Sequence, residues 1–212
     1  MKASDVITRA TDILQDAGND YWPEDELLRW LNDGRQDAYK LRPDLYEATT
    51  TVTLAAGVTQ ALPDASRWLF AVVRNVSHPK QRAITVVNAD DLGRIRPTWR
   101  SMPGAIEIKH YLYDERDPGH FDVYPPAGTA VQVELKYAEL PAVAVAADDL
   151  TQEGAYYTAL IDYVAYRAFL KECDTVPAFQ ARAAQHLQMF QAVLSGTVQP
   201  KLATIPNQGS QS

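Results

Sequence analysis

A single cysteine, Cys173, stands in the 212 residues, so no internal disulfide can form and a disulfide-stapled scaffold is excluded. Its apolar helical context predicts a buried structural thiol and not a redox group. Histidine is scarce as well. His78, His110, His120 and His186 lie in four different segments, never at metal-ligand spacing, which reads as surface or strand histidines and leaves no metal or other cofactor to expect. No Walker-type or dinucleotide glycine pattern occurs and no serine sits in a nucleophile elbow, so nucleotide binding and acyl transfer have no support. Basic residues are in deficit. The 20 Lys and Arg against 27 Asp and Glu leave a formal net charge of -7, which disfavours a sequence-independent grip on nucleic acid through phosphate neutralisation. Long apolar runs are also missing. Met1-Lys2-Ala3-Ser4-Asp5 has no apolar signal core, so the product is expected to stay inside the cell. The most apolar stretch, Ala155 to Leu170, carries Asp162 and Arg167 and is too short and too polar to span a bilayer.

What is present is a hydrophobic share of 46%, enough for one full core or two small ones, in a pattern that changes from helical to strand and back. Val6, Ala10, Ile13, Leu14 and Ala17 recur at helical spacing behind a Ser4 or Asp5 cap, with Gly18-Asn19 as the stop. A second helix opens at Pro23 with Glu24, Asp25 and Glu26 in its first turn, carries the stripe Leu27, Leu31, Ala38 and Leu41, and ends before Pro43. Period-two, β-branched segments follow at Thr49 to Leu54, Trp68 to Val76, Arg82 to Val87, Ala105 to Tyr113, His120 to Tyr124 and Val131 to Tyr137, predicting a small antiparallel sheet. In the last of these Val131, Val133, Leu135 and Tyr137 share one face. A helix from about Gln152 to Glu172, apolar nearly all round, must be covered on several sides. Pro177 opens a fourth, with Phe179, Ala183, Leu187, Phe190 and Leu194 in one stripe and Ser195-Gly196 as its end.

The expected fold is therefore α+β. A four-helix bundle is built from an N-terminal helix pair (1–47) and a C-terminal pair (148–195), with an inserted antiparallel β-domain (48–147) and an extended tail (196–212). The tail has two prolines and no helical or strand period, so it is predicted to be extended or disordered alone.

Candidate chemistry is sparse. Asp90-Asp91, Asp114-Glu115 and Asp148-Asp149 are carboxylate pairs that could serve glycoside hydrolysis across a cleft, which keeps a cell-wall glycosidase as an alternative. Adjacent acids also mark turns and caps, and Asp148-Asp149 directly before a helix is read as a cap. No catalytic residue is assigned. Arg94, Arg96, Trp99 and Arg100 form the local basic cluster with an aromatic inside it, a candidate interface or DNA contact, and a DNA-binding regulator is the other alternative.

The residues also carry a family pattern. Trp22-Pro23 followed by Glu26-Leu27-Leu28-Arg29-Trp30-Leu31-Asn32-Asp33-Gly34-Arg35-Gln36 resembles the second helix of podovirus-type phage head-to-tail adaptor (connector) proteins. Ala56-Gly57-Val58-Thr59-Gln60-Ala61-Leu62-Pro63, Arg74-Asn75, Pro97-Thr98-Trp99 and Phe121-Asp122-Val123-Tyr124-Pro125-Pro126 follow in that family's order, and the likeness spans roughly residues 1 to 195. The resemblance implies a non-enzymatic virion protein, assembled in the host cytoplasm as a ring, commonly of twelve copies, on a portal template. Its partners would be the portal protein, the tail nozzle protein and further copies of itself, with no membrane. DNA would pass through the channel without specific binding, which the net negative charge suits. Tyr156, Leu160, Tyr163 and Phe169 on the all-round apolar helix are then the expected inter-subunit packing residues. Val198, Pro200, Leu202, Ile205 and Pro206 are the expected anchors of a tail that docks on the portal or an adjacent subunit.

Overall fold

The computed structural model describes residues 1–63, 66–150 and 152–196. In chain order its main elements are α1 (Ala3–Leu14), α2 (Glu24–Leu41), β1 (Glu47–Thr53), β2 (Gly57–Ala61), β3 (Leu69–Asn75), β4 (Thr85–Val86), α3 (Ala89–Ile95), β5 (His110–Leu112), β6 (His120–Ala127), β7 (Gln132–Ala138), α4 (Tyr157–Lys171) and α5 (Pro177–Ser195). The fold is α+β, with five helices and two sheets among the described residues. The chain divides into two compact units, a helical one of residues 1–45 with 141–196 and a β-rich one of residues 46–140. The expected docking tail beyond Gly196 lies outside the described residues.

In the helical unit α4 is the central element, with α1, α2 and α5 packed on it. Cover from three sides explains why its apolar residues run round the helix. The start of α1 differs from the reading by sequence. Lys2, not Ser4 or Asp5, stands at the cap, because Lys2 bridges Asp149 and the Ala3 amide donates to the Asp148 carbonyl at 2.9 Å. Asp5 reaches back instead, its carboxylate accepting the Lys2 amide at 2.8 Å. The helix also stops early, at Leu14, with Gln15 left-handed at φ 58°. Gly18 and Asn19 belong to the following loop, whose fold is set by the Asp16 carboxylate: it collects the amides of Asp20, Tyr21 and Trp22 at 3.1, 3.1 and 2.9 Å.

Leu27, Leu31 and Ala38 of α2 are buried as the stripe predicts, while Leu41 at the helix end is exposed. The predicted helix from Gln152 is a 3-10 turn, Gln152–Ala155, followed by α4. Asp148 and Asp149 therefore do not cap α4; the Asp148 carboxylate accepts the Val145 amide at 2.9 Å. Cys173 lies in the turn between α4 and α5, half-buried and not in a core.

The β-rich unit has two sheets where one was expected. The first has the order β1-β7-β3 and the second β2-β6-β5-β4, and its β4–β5 pair is parallel. That pairing needs a crossover, and the chain between the two strands supplies it, α3 included. Val72 and Leu135 of the first sheet and Phe121 and Val123 of the second belong to one buried cluster, with Ile108 among them. Asn75, fully buried, joins the layers: its side-chain amide donates to the carbonyls of Arg82 and Ile108 at 3.0 and 2.8 Å and accepts the Ile108 amide at 2.8 Å.

Candidate interaction surfaces

One face of α2 grips an extended strap, residues 141–150. Asn32, Arg35 and Gln36 fall at i, i+3 and i+4, so they project from the same side of the helix. The Asn32 side chain donates to the Ala144 carbonyl at 3.0 Å and accepts the Ala144 amide at 2.8 Å. Arg35 donates to the Ala142 carbonyl at 2.6 Å, and Gln36 to the Pro141 carbonyl at 3.0 Å. Arg35 also donates to the Glu153 carboxylate at 2.7 Å, an ion pair whose side chains are 9% and 1% exposed. The Arg35 guanidinium also meets the Asn32 side-chain oxygen at 3.3 Å, so its charge is shared among several acceptors. Val143 and Val145 of the strap point outward, at 78% and 56% exposure, while Ala144 and Leu150 are buried.

The same stretch of α2 seats α4. Gly34 lies under the Tyr163 ring: a Cβ there would come within 2.8 Å of Cδ1. The Tyr163 hydroxyl donates to Asp37 at 2.8 Å. Burial first, and that hydrogen bond second, push its pKa up to about 12. Asp33 pairs with Arg167 at 3.1 Å, and Glu26 with Lys171 at 2.9 Å. His186 of α5 contacts Asp162 of α4 at 2.8 Å and stacks on Phe169, so this histidine is neither a surface nor a strand residue.

Of the residues expected to pack between subunits, Tyr156 is 2%, Leu160 0%, Tyr163 5% and Phe169 2% exposed. All four are core residues of the helical unit, covered by the chain's own elements. A groove of about 270 Å³ beside Tyr163 runs between the end of α2, with Leu41, and Tyr166, Leu187 and Gln191. Near its end Arg42 clasps Asp44 with two bonds, at 2.7 and 2.6 Å, and donates to the Leu194 carbonyl at 2.7 Å. That contact fixes the last turn of α5, from which the tail departs.

The basic cluster is split by the fold. Trp99 is 1% exposed and packs with Leu92 and Leu112, so its ring is not free for a base to stack on. Arg94, Arg96 and Arg100 are exposed. Arg100 lies over the Trp99 ring at 4.2 Å and pairs with Asp122 at 3.3 Å. It faces an open cleft of about 910 Å³ that Asp90, Asp114, Glu115, Asp117 and Arg116 also line. Asp90 lies in the first turn of α3, where its charge suits the helix N-terminus and its amide donates to the Asn88 cap at 2.8 Å, and Asp114 accepts the Arg116 amide at 2.9 Å in a turn. Among the described residues no group of three or more His, Cys, Asp and Glu could hold a metal ion, and no helix is long and apolar enough to cross a membrane.

Glu153 and Asp37 carry no signal in the sequence reading, and Asn32, Gly34, Arg35, Gln36 and Asn75 stand there only within motifs. Their partners are distant in sequence, and no local period marks them. A family model described as SU10 adaptor protein matches residues 1–209. No curated protein matches the chain.

Proposed function

The chain belongs to the SU10 adaptor protein family, a family of phage structural adaptors, and we propose that it acts as the head-to-tail connector of a podovirus-type virion. The observation that carries this is the extent of the match, residues 1–209, which includes both units and most of the tail. The helices α1, α2, α4 and α5 work as one four-helix body and the β-rich unit as an insertion into it. Copies of the body, twelve in the closed form, make a ring between the portal and the tail nozzle. DNA passes through the channel, and an acidic subunit with net charge -7 keeps it from sticking. The tail is the docking arm: Val198, Pro200, Leu202, Ile205 and Pro206 anchor it on the portal or an adjacent subunit. Assembly takes place in the host cytoplasm and the ring stays in the virion.

Sedimentation of the purified chain with portal particles tests the reading. The full chain is expected to travel with the portal. A chain ending at Gly196 should unfold at the same temperature and bind more weakly, because an arm that gains its contacts only on docking adds little to the body's stability. Failure of the full chain to bind would overturn the connector reading; equal binding by the shortened chain would remove the tail from it.

A further inference from the structure

β1 is an edge strand, bonded on one side to β7. The Leu54 amide donates to the Val131 carbonyl and the Glu139 amide to the Tyr46 carbonyl, so in this register the even-numbered residues bond β7. Glu47, Thr49, Thr51 and Thr53 therefore aim their N–H and C=O groups away from the sheet. All four residues are exposed, and among the described residues no backbone group pairs with that edge.

Glu47-Ala48-Thr49-Thr50-Thr51-Val52-Thr53 has one charge, Glu47 at its end, and otherwise lacks the devices that guard an edge. It has no proline, no lysine and no inward charge. Its pairing with β7 runs without a break, whereas the β3–β7 pairing shifts register twice. A straight strand of this length, rich in β-branched residues, is a template for another strand.

The strand's own sequence fits that edge. In an antiparallel pair centred on Thr50, Glu47 meets Thr53 of a second copy and Thr49 meets Thr51, so the outward groups of one strand face those of the other. Ala48 meets Val52 on the opposite face, where both are half-buried against the core cluster, and the pairing extends that apolar layer. No like charges oppose each other, and Glu47 is already paired with Lys136 at 3.0 Å. A slip of one residue would turn bonding groups against non-bonding ones.

We propose that the free subunit forms a two-fold dimer through β1–β1 pairing, joining two three-stranded sheets into one. Such an interface uses the same patch on both copies and cannot continue round a ring. The dimer is thus a form of the unassembled subunit, opened when a ring is built; this last step rests on the ring reading, the dimer itself does not.

The test is sedimentation of the full chain over a concentration series, with hydrogen exchange read at Thr49, Thr51 and Thr53. Expected is a concentration-dependent shift from 23.6 kDa to twice that mass, with those amides slowed at least about tenfold in the dimer. Thr51→Pro removes one outward N–H and spares the β7 ladder; Thr49→Lys with Thr51→Lys places cations opposite each other. Both variants should stay monomeric, and the lysine variant should keep the parent melting temperature. A chain that remains monomeric with freely exchanging edge amides would overturn the proposal. So would a dimer that survives both variants, or protection of these amides already in the monomer, which would put another segment on the edge.

Discussion

A methyl group on Gly34 would meet Cδ1 and Cγ of Tyr163 at 2.8 and 2.9 Å, and the atoms struck belong to the root of a packed ring, which cannot swing aside. In an exposed helix interior Gly→Ala gains about 1 kcal/mol. Here Gly34→Ala is expected to cost about 1–3 kcal/mol net, the usual penalty for overpacking, measured by denaturant unfolding; a stabilised variant would contradict the packing described. Tyr163 itself gives a test by pH. Its folded pKa, about 12, lies above the ordinary value of 10.0, so its contribution is complete below pH 10 and is lost as pH rises towards 12. Tyr163→Phe should remove a late-ionising component from the tyrosinate absorbance titration; identical curves would refute the assignment. Neither role could be read from sequence. Gly34 was visible within a motif and Tyr163 within an apolar helix, but the contact between them is tertiary.

At the scale of elements, amphipathic stripes and terminal prolines made α2 and α5 legible almost to their ends, and alternation did the same for β7. The losses have physical reasons. α3 buries only Leu92, too little for a stripe. β6 continues through Pro125 and Pro126, which lack an N–H, because the flanking Tyr124 carbonyl and that of Pro126 take the Lys109 and Ala105 amides, both at 2.8 Å. The all-round apolar character of α4 was credited partly to neighbouring subunits, although α1, α2 and α5 suffice. The strap held by Asn32, Arg35 and Gln36 has no period at all. Its prediction is energetic. Arg35→Ala leaves Glu153 buried without its cation and should cost about 3–5 kcal/mol. Replacing both, Arg35→Met with Glu153→Leu, should cost less than the sum of the single changes. Additive effects in calorimetric unfolding would show that the pair does not act as a unit.

For the whole molecule, composition disfavours more than it identifies: one cysteine, scattered histidines and a net charge of -7 give redox, zinc and phosphate-gripping roles no support in the sequence. The adaptor family came from the order of motifs, and the structure gives several of them physical work. Asn32, Arg35 and Gln36 hold the strap, Gly34 seats α4, Asn75 joins the β-layers and Trp99 fills a core. These are scaffold roles, whereas the open surfaces of the helical unit, Val143 and Val145 on the strap and the groove beside Leu41, follow no local period. The most direct test of the connector reading is electron cryomicroscopy of portal particles mixed with an excess of the purified chain. The expected result is a ring of added density at one end of the portal, resolvable into repeated copies of the helical unit; bare portals under those conditions would overturn the connector reading.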